Sequence, residues 1–140
     1  MTVQNNPLHY AESIQYQLTS ICSPVPVYQL FNRNWATQTK FVTWQLRNVH
    51  QPVYTGQVQS VKGIDRPVFQ INIYCKEQTD AYNLANTIIQ ELHGYSGMFG
   101  NPSANGFYIS KADVFWLIST YDNEIGQNQI VLDCTLDIPA

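Results

Sequence analysis

Between residues 68 and 94 the spacing of apolar positions changes once, and the change predicts the centre of the fold. In the first half Phe69, Ile71, Ile73 and Cys75 alternate with Gln70, Asn72 and Tyr74, a period of two that presents one apolar face of a strand. From Ala81 onward the apolar residues fall at Ala81, Leu84, Ala85, Ile88, Ile89 and Leu92, three and four apart, which predicts a helix with one buried stripe. Thr79 or Asp80 is placed to cap its start, and Gly94 to adopt the left-handed conformation that ends it. Burying Leu84, Ile88, Ile89 and Leu92 against the sheet contributes roughly 1.5–3 kcal/mol per side chain before entropy. Strand and helix together form the expected spine.

The same two periods divide the rest of the chain. Ala11, Ile14, Leu18 and Ile21 predict a helix over 9–22, ended by Ser23-Pro24-Val25-Pro26. A short strand is expected at 27–31, then a polar turn region, 32–39, carrying Trp35. Over 40–49, Val42, Trp44 and Leu46 face one way and Thr43, Gln45 and Arg47 the other, a strand pattern rich in β-branched and aromatic residues. Residues 50–67 hold Gly56, Gly63 and two prolines without apolar periodicity; they read as a loop or long hairpin arm, and a loop of that length in a compact domain usually serves function. The segment 95–106 is rich in Gly, Ser, Pro and Asn and is expected to be irregular. Strands follow at 107–109, 114–121 and 129–138, the last two joined by a turn around Gly126. In the final strand Ile130, Leu132, Cys134, Leu136 and Ile138 alternate with Val131, Asp133, Thr135 and Asp137. This order predicts one α+β domain over 1–140, a mainly antiparallel sheet of about four to six strands with two helices packed on it.

Composition points away from chemistry and toward assembly. Only 17 of 140 residues are charged, whereas 26 are Asn or Gln. Neutral amides cost less to desolvate than charges, so such a surface suits contact with other protein; compositional bias of the source genome is the alternative reading. A net charge of −3 argues against a free-standing nucleic-acid binder, which shows a basic footprint. The charge is also divided: residues 1–76 carry +4 and residues 77–140 carry −7. Cys22, Cys75 and Cys134 are odd in number and lack metal spacing, as expected of free buried thiols in a reducing compartment. The polar start MTVQNNPLHY is unlike a signal peptide, and no apolar run reaches a membrane span; the expectation is a soluble chain made in the cytoplasm, with no membrane partner.

No catalytic, metal or cofactor site emerges, so the chain is not expected to be an enzyme. Gly94, Gly97 and Gly100 follow a helix instead of opening one, which is wrong for a phosphate cradle. His9, His50 and His93 are scattered without a second ligand at metal spacing. Ser96 lies three residues after His93 but in no nucleophile elbow. Asp133 and Asp137 would stand roughly 13 Å apart along a strand, far for a glycosidase pair. Aromatic residues interleaved with Arg33, Lys40 and Arg47 over 31–47 fit the pattern of a single-stranded nucleic-acid binder, which is the alternative from a different functional class.

Three stretches carry a resemblance. KFVTWQLRN is similar to the "pyvvyq" strand of the tail-completion, or tail-terminator, family of long-tailed bacteriophages. VFQINIYCKEQTDAYNLANTIIQELHGYSG resembles that family's strand, linker, Ala-rich helix and "L-h-g-y-x-g" ending, with Ala81, Ala85, Leu92, His93, Gly94 and Tyr95 the best matches. FWLISTYDNEIGQNQIVLDCTLDI is similar to its closing hairpin. The resemblance spans residues 10–138 and departs from the family's usual "aPlPy" segment, where this chain has NWATQTKF. It implies a structural virion protein of the tail: a ring, commonly of six subunits, that caps the tail tube, stops its growth and joins the head-completion connector, with DNA passing through the lumen unread. A head-completion adaptor or a tail-tube subunit are neighbouring possibilities.

A closed ring joins unlike patches of successive subunits, and the divided charge suits that geometry if the fold keeps the halves apart. Arg33, Lys40, Arg47, Lys62 or Arg66 is therefore expected to pair across a subunit boundary with some of Asp113, Asp122, Glu124, Asp133 and Asp137, Arg47 with Asp133 being an example that a double charge reversal would test. The loop carrying Tyr54, Gly56, Gln57, Gln59 and Lys62 is expected to become ordered against a neighbouring ring.

Overall fold

Strand β3 (Arg66–Cys75) has a neighbour on each side, β2 (Lys40–His50) and β7 (Gln127–Asp137), both antiparallel to it. The computed structural model describes residues 7–33, 35–50 and 66–138. Outside β2 lies the short β1 (Val27–Gln29), the one parallel neighbour, and outside β7 lies β6 (Lys111–Asp122), so the five-stranded order is β1-β2-β3-β7-β6. A separate hairpin joins β4 (Gly97–Phe99) to β5 (Phe107–Ile109). Helices α1 (Pro7–Cys22) and α2 (Gln78–Leu92) complete the fold, which is the expected α+β arrangement.

Register explains the core. Directly opposed residues share a sheet face, so Trp44, Ile71 and Leu132 form one row and Val42, Ile73 and Ile130 the next. All six are buried, together with Ala81, Ala85, Ile88 and Leu92 of α2 and Tyr10, Ile14, Leu18 and Cys22 of α1. Gln15 on α1 ties this layer to the sheet. Its Oε1 accepts the Trp44 Nε1–H at 2.6 Å, and its Nε2 donates to the Val27 carbonyl at 2.9 Å. A buried indole N–H without an acceptor would be costly, and the one amide satisfies two strands.

Several expectations need correction. Leu84 and Ile89 are half-buried at the edge of the α2 stripe, as are Ala11 and Ile21 on α1. Glu77 occupies the N-cap of α2 without a side-chain cap bond, and neither Thr79 nor Asp80 caps it. Asp80 instead lies in the first turn, where a carboxylate complements the helix dipole. Gly94 does take a positive φ of 79°. The stretch 95–106 is not wholly irregular, because β4 lies within it, held by contacts far along the chain: Gly100 N–H donates to Gln17 Oε1 at 3.0 Å, Ser13 Oγ donates to the Asn105 carbonyl at 3.3 Å, and Asn105 Nδ2 donates to both Glu12 oxygens. Gly100 has to be glycine here, at φ +90° and with Ser13 Oγ 2.5 Å from where a Cβ would sit. Residues His50, Arg66 and Pro67, expected in a loop, belong to β2 and β3. The expected inter-ring loop residues Tyr54, Gly56, Gln57, Gln59 and Lys62 lie outside the described residues.

Candidate assembly surface

The sheet face turned away from the helices is polar, and the two charge halves meet on it. Between Leu46 and Asn48 the β2–β3 register shifts by one residue, leaving Arg47 as the extra residue of a bulge that re-aims its side chain. The guanidinium reaches past β3 to Asp133 on β7, with Nη1 at 2.8 and 2.7 Å from the two carboxylate oxygens. Arg66 Nε donates to Asp137 Oδ1 at 3.1 Å and Lys111 Nζ lies 3.4 Å from Asp113 Oδ2, while on the helix side of the sheet Lys40 Nζ lies 3.5 Å from Asp80 Oδ2 of α2. Lys40, Arg47 and Arg66, three of the cations expected at a subunit boundary, thus meet carboxylates of their own chain. The fold does not keep the charge halves apart, because the strand order sets β3 directly beside β7 and β2 one strand further on. Arg33 is different: its guanidinium lies over the Phe31 ring, 5.8 Å from the centroid, and no carboxylate among the described residues pairs with it.

Just before Arg33 the chain makes a strained turn. Leu30 has φ +67°, and Phe31 N–H donates to the Gln29 carbonyl at 2.8 Å, the rare form of the three-residue turn. A bulky residue held at positive φ costs about 1–3 kcal/mol. The turn sends Leu30 and Phe31 outward, where they are 60% and 61% exposed. Beside them Trp35, Phe41, Tyr74, Asp122 and Ile125 help line a shallow cavity of about 160 Å³, and burial, then the Asp122 charge, raises the Tyr74 phenol.

The second apolar surface is the edge strand β6. Its first residues are covered: Val114 N–H donates to His93 Nδ1 at 2.9 Å and Gly94 N–H to the Ala112 carbonyl at 2.7 Å, so the end of α2 occupies the edge. Ala112 and Val114 are correspondingly buried. His93, just past the end of α2, is here a hydrogen-bond acceptor. From Phe115 to Tyr121 no described residue takes the corresponding place. A bulge between Trp116 and Ile118, with Leu117 as the extra residue, divides the side chains. Trp116 stands on the helix side against Tyr82, at 5.2 Å between ring centroids, and Phe115 and Ile118 stand on the polar side opposite Asp133 and Val131. Phe115 is 59% and Ile118 54% exposed, and Leu117 and Tyr121 are likewise in water. Proteins protect edge strands with short length, lysine or proline; this one is twelve residues long and has its only lysine at the covered end.

Other candidates from the sequence stay dispersed. Among the described residues no group of three or more His, Cys, Asp or Glu is arranged to hold a metal, and no helix is long and apolar enough to cross a membrane. Burial pushes the Cys22 thiol up to about 12 and Cys134 to about 12, the latter helped by Asp113 and Asp133. It raises Cys75 to about 11, with Asp80 adding to the effect and Lys40 opposing it. All three are free thiols, and thiols held neutral are poor nucleophiles. Periodicity carries no sign of the exposed surfaces on β6 and at Leu30–Phe31, since an apolar run such as VFWLI reads equally as core.

No protein-family model matches the chain, and no curated protein does. Among solved structures it matches a chain of the virion of a native gene transfer agent particle, with a TM-score of 0.61 and 12% identity over 93% of each chain. It also matches the sheath/tube terminator of an extracellular contractile injection system in its extended state, with a TM-score of 0.56 and 10% identity. That alignment takes in 99% of this chain and 58% of the terminator, so the chain spans little more than half of that protein's length. At these identities the likeness is one of fold, and the α+β fold implied by the resemblance to tail terminators is the fold observed.

Proposed function

We propose that this chain is the tail terminator of a phage-like particle, a non-enzymatic structural subunit that forms a ring, with six copies as the expected number. The ring caps the tail tube, stops its growth, and offers its other face to the head-completion connector, while DNA passes through the lumen without being read. The observation that carries this reading is the fold, shared over nearly the whole chain with a virion component and with a sheath/tube terminator. Two further features support it: exposed apolar residues concentrated on one strand edge and one strained turn, which is how assembly surfaces differ from scattered surface hydrophobics. The amide-rich surface fits the same role.

Removing the chain from the particle that encodes it tests the reading. A terminator's loss leaves tubes of uncontrolled length without heads attached, and adding the purified chain back caps them. Loss of a tube subunit instead leaves no tubes, and loss of a head adaptor leaves finished tails of normal length; either result contradicts the proposal.

A further inference from the structure

We infer that the cavity between the Leu30–Phe31 turn and the β6–β7 turn is a binding site for one arginine side chain, presented by another protein of the particle, whose guanidinium lies among the aromatic rings and meets Asp122. The site itself stands on the cavity, and the source of its arginine rests on the assembly role proposed above. Residues that follow β1 and residues that end β6, the two edge strands, close over one end of the polar sheet face. Phe41 and Tyr74 are directly opposed on β2 and β3, one position from the core pair Val42 and Ile73, and therefore point away from the helices. Their rings stack at 4.7 Å between centroids, 20° apart. Phe31 and Trp35 bring two more rings to the lining, and Asp122 and Ile125 complete it from the other side.

Size and charge select the ligand. At about 160 Å³ the cavity is well below the roughly 300–1,000 Å³ of sites for cofactors and drug-sized molecules, and it is sized for a single side chain. Asp122 is the one ionised residue that lines it. One of its oxygens accepts the Glu124 N–H at 3.0 Å, but among the described residues no cation pairs with it, whereas Asp80, Asp113, Asp133 and Asp137 each meet one. The polar groups around it have partners within the chain: Thr43 Oγ1 accepts from Asn72 Nδ2 at 3.3 Å, Asn32 Nδ2 donates to Gln38 Oε1, and the Tyr74 hydroxyl accepts from Gln129 Nε2 at 3.1 Å. The carboxylate's field reaches into the cavity, because after burial it is the second cause that raises the Tyr74 phenol. Aromatic faces attract a cation within about 6 Å of the ring centroid. A guanidinium is planar, so it stacks on a ring and donates to a carboxylate at once, which a lysine ammonium does not; Arg33, 5.8 Å from the Phe31 centroid, already makes the first of these contacts beside the site. The chain has three arginines, Arg33, Arg47 and Arg66. Arg47 and Arg66 are held by Asp133 and Asp137, and Arg33 lies on Phe31 of its own chain, so the entering arginine belongs to a different protein.

The test titrates the isotope-labelled full-length chain with acetyl-arginine methylamide, with its citrulline counterpart, which has the same shape without the charge, and with its lysine counterpart, and follows the nuclear magnetic resonance spectrum. Arginine is expected to bind saturably with the millimolar affinity of a single side chain, moving the Trp35 indole N–H and the amides of Asp122 and Ile125, while the indoles of Trp44 in the core and Trp116 against Tyr82 stay still. Citrulline is expected not to bind, lysine to bind more weakly, and Asp122→Asn, which keeps an acceptor for the Glu124 N–H, to weaken arginine binding about tenfold. No saturable shift, shifts only elsewhere, or citrulline or lysine binding as tightly as arginine overturns the site. In the assembled particle, a photo-crosslinking benzoylphenylalanine in place of Phe31 is expected to join an arginine-bearing segment of another protein; crosslinks confined to this chain, or none, overturn the inference. Each of these failures leaves the terminator reading standing, since that reading is decided by removing the chain from the particle.

Discussion

Arg47 on β2 and Asp133 on β7 form an ion pair across the intervening β3, one guanidinium nitrogen bridging both carboxylate oxygens at 2.7 and 2.8 Å. The two residues belong to oppositely charged halves of the chain, and the pair closes inside one subunit. Arg47→Glu or Asp133→Arg alone is expected to lower the stability of the isolated chain by about 0.2–1 kcal/mol, the range for exposed pairs, and the double reversal to recover most of that loss. A double-mutant cycle on urea denaturation reads the coupling. Salt dependence of assembly then falls on Arg33 more than on Arg47, so Arg33→Glu should slow assembly without moving the melt.

The link between α1 and the sheet depends on a single amide. Gln15→Leu keeps the volume but strands the buried Trp44 indole N–H, and the expected cost is about 1–3 kcal/mol. Gln15→Glu retains an acceptor for Trp44 and loses the donors to the Val27 carbonyl and Thr19 Oγ1, so it should be the milder change in a thermal melt.

On α2, full and partial burial make different predictions. Ile88 is completely enclosed and Leu84 is not. Ile88→Asp would bury an unpaired carboxylate, which costs several kcal/mol and is enough to unfold a domain of ordinary stability. Leu84→Asp lets the carboxylate reach water, and a cooperative melt at lowered temperature is expected. Equal effects of the two changes would mean that the helix sits differently on the sheet.

The three thiols set an alkaline limit. Each is held neutral in the folded chain, to about 12 for Cys22 and Cys134 and about 11 for Cys75, against an ordinary value of 9.0. In the unfolded chain they ionise first, so above that value the unfolded state holds fewer protons than the folded state and stability falls as pH rises. The slope is about 1.4 kcal/mol per thiol per pH unit, while below about pH 8 the thiols contribute no pH dependence. Cys134→Ala lowers overall stability by opening a cavity but should flatten the alkaline slope by about a third, which denaturation between about pH 8 and 10 would detect.

The spine and the long strands were legible because their apolar spacing is local: Phe69, Ile71 and Ile73 alternate in water as they do in the sheet. Of the β4–β5 hairpin only β5, at 107–109, was legible; β4 was not, since a three-residue strand among Gly, Ser and Pro holds its shape through contacts of the following segment with Glu12, Ser13 and Gln17, more than eighty residues earlier. The charge division was visible but its use was not, because only the order β2-β3-β7 reveals that Arg47 and Asp133 share a face. The exposed edge was hidden for the same kind of reason. Whether Phe115 and Ile118 are core or surface depends on β6 being last in the sheet, a fact of topology that spacing along the chain does not carry.

Cryo-electron microscopy of the particle that encodes this chain tests the central claim most directly. The account predicts one ring of this chain per tail, at the head-proximal end of the tube. Rings of the chain repeated along the tube, or its absence from the tail, would contradict it.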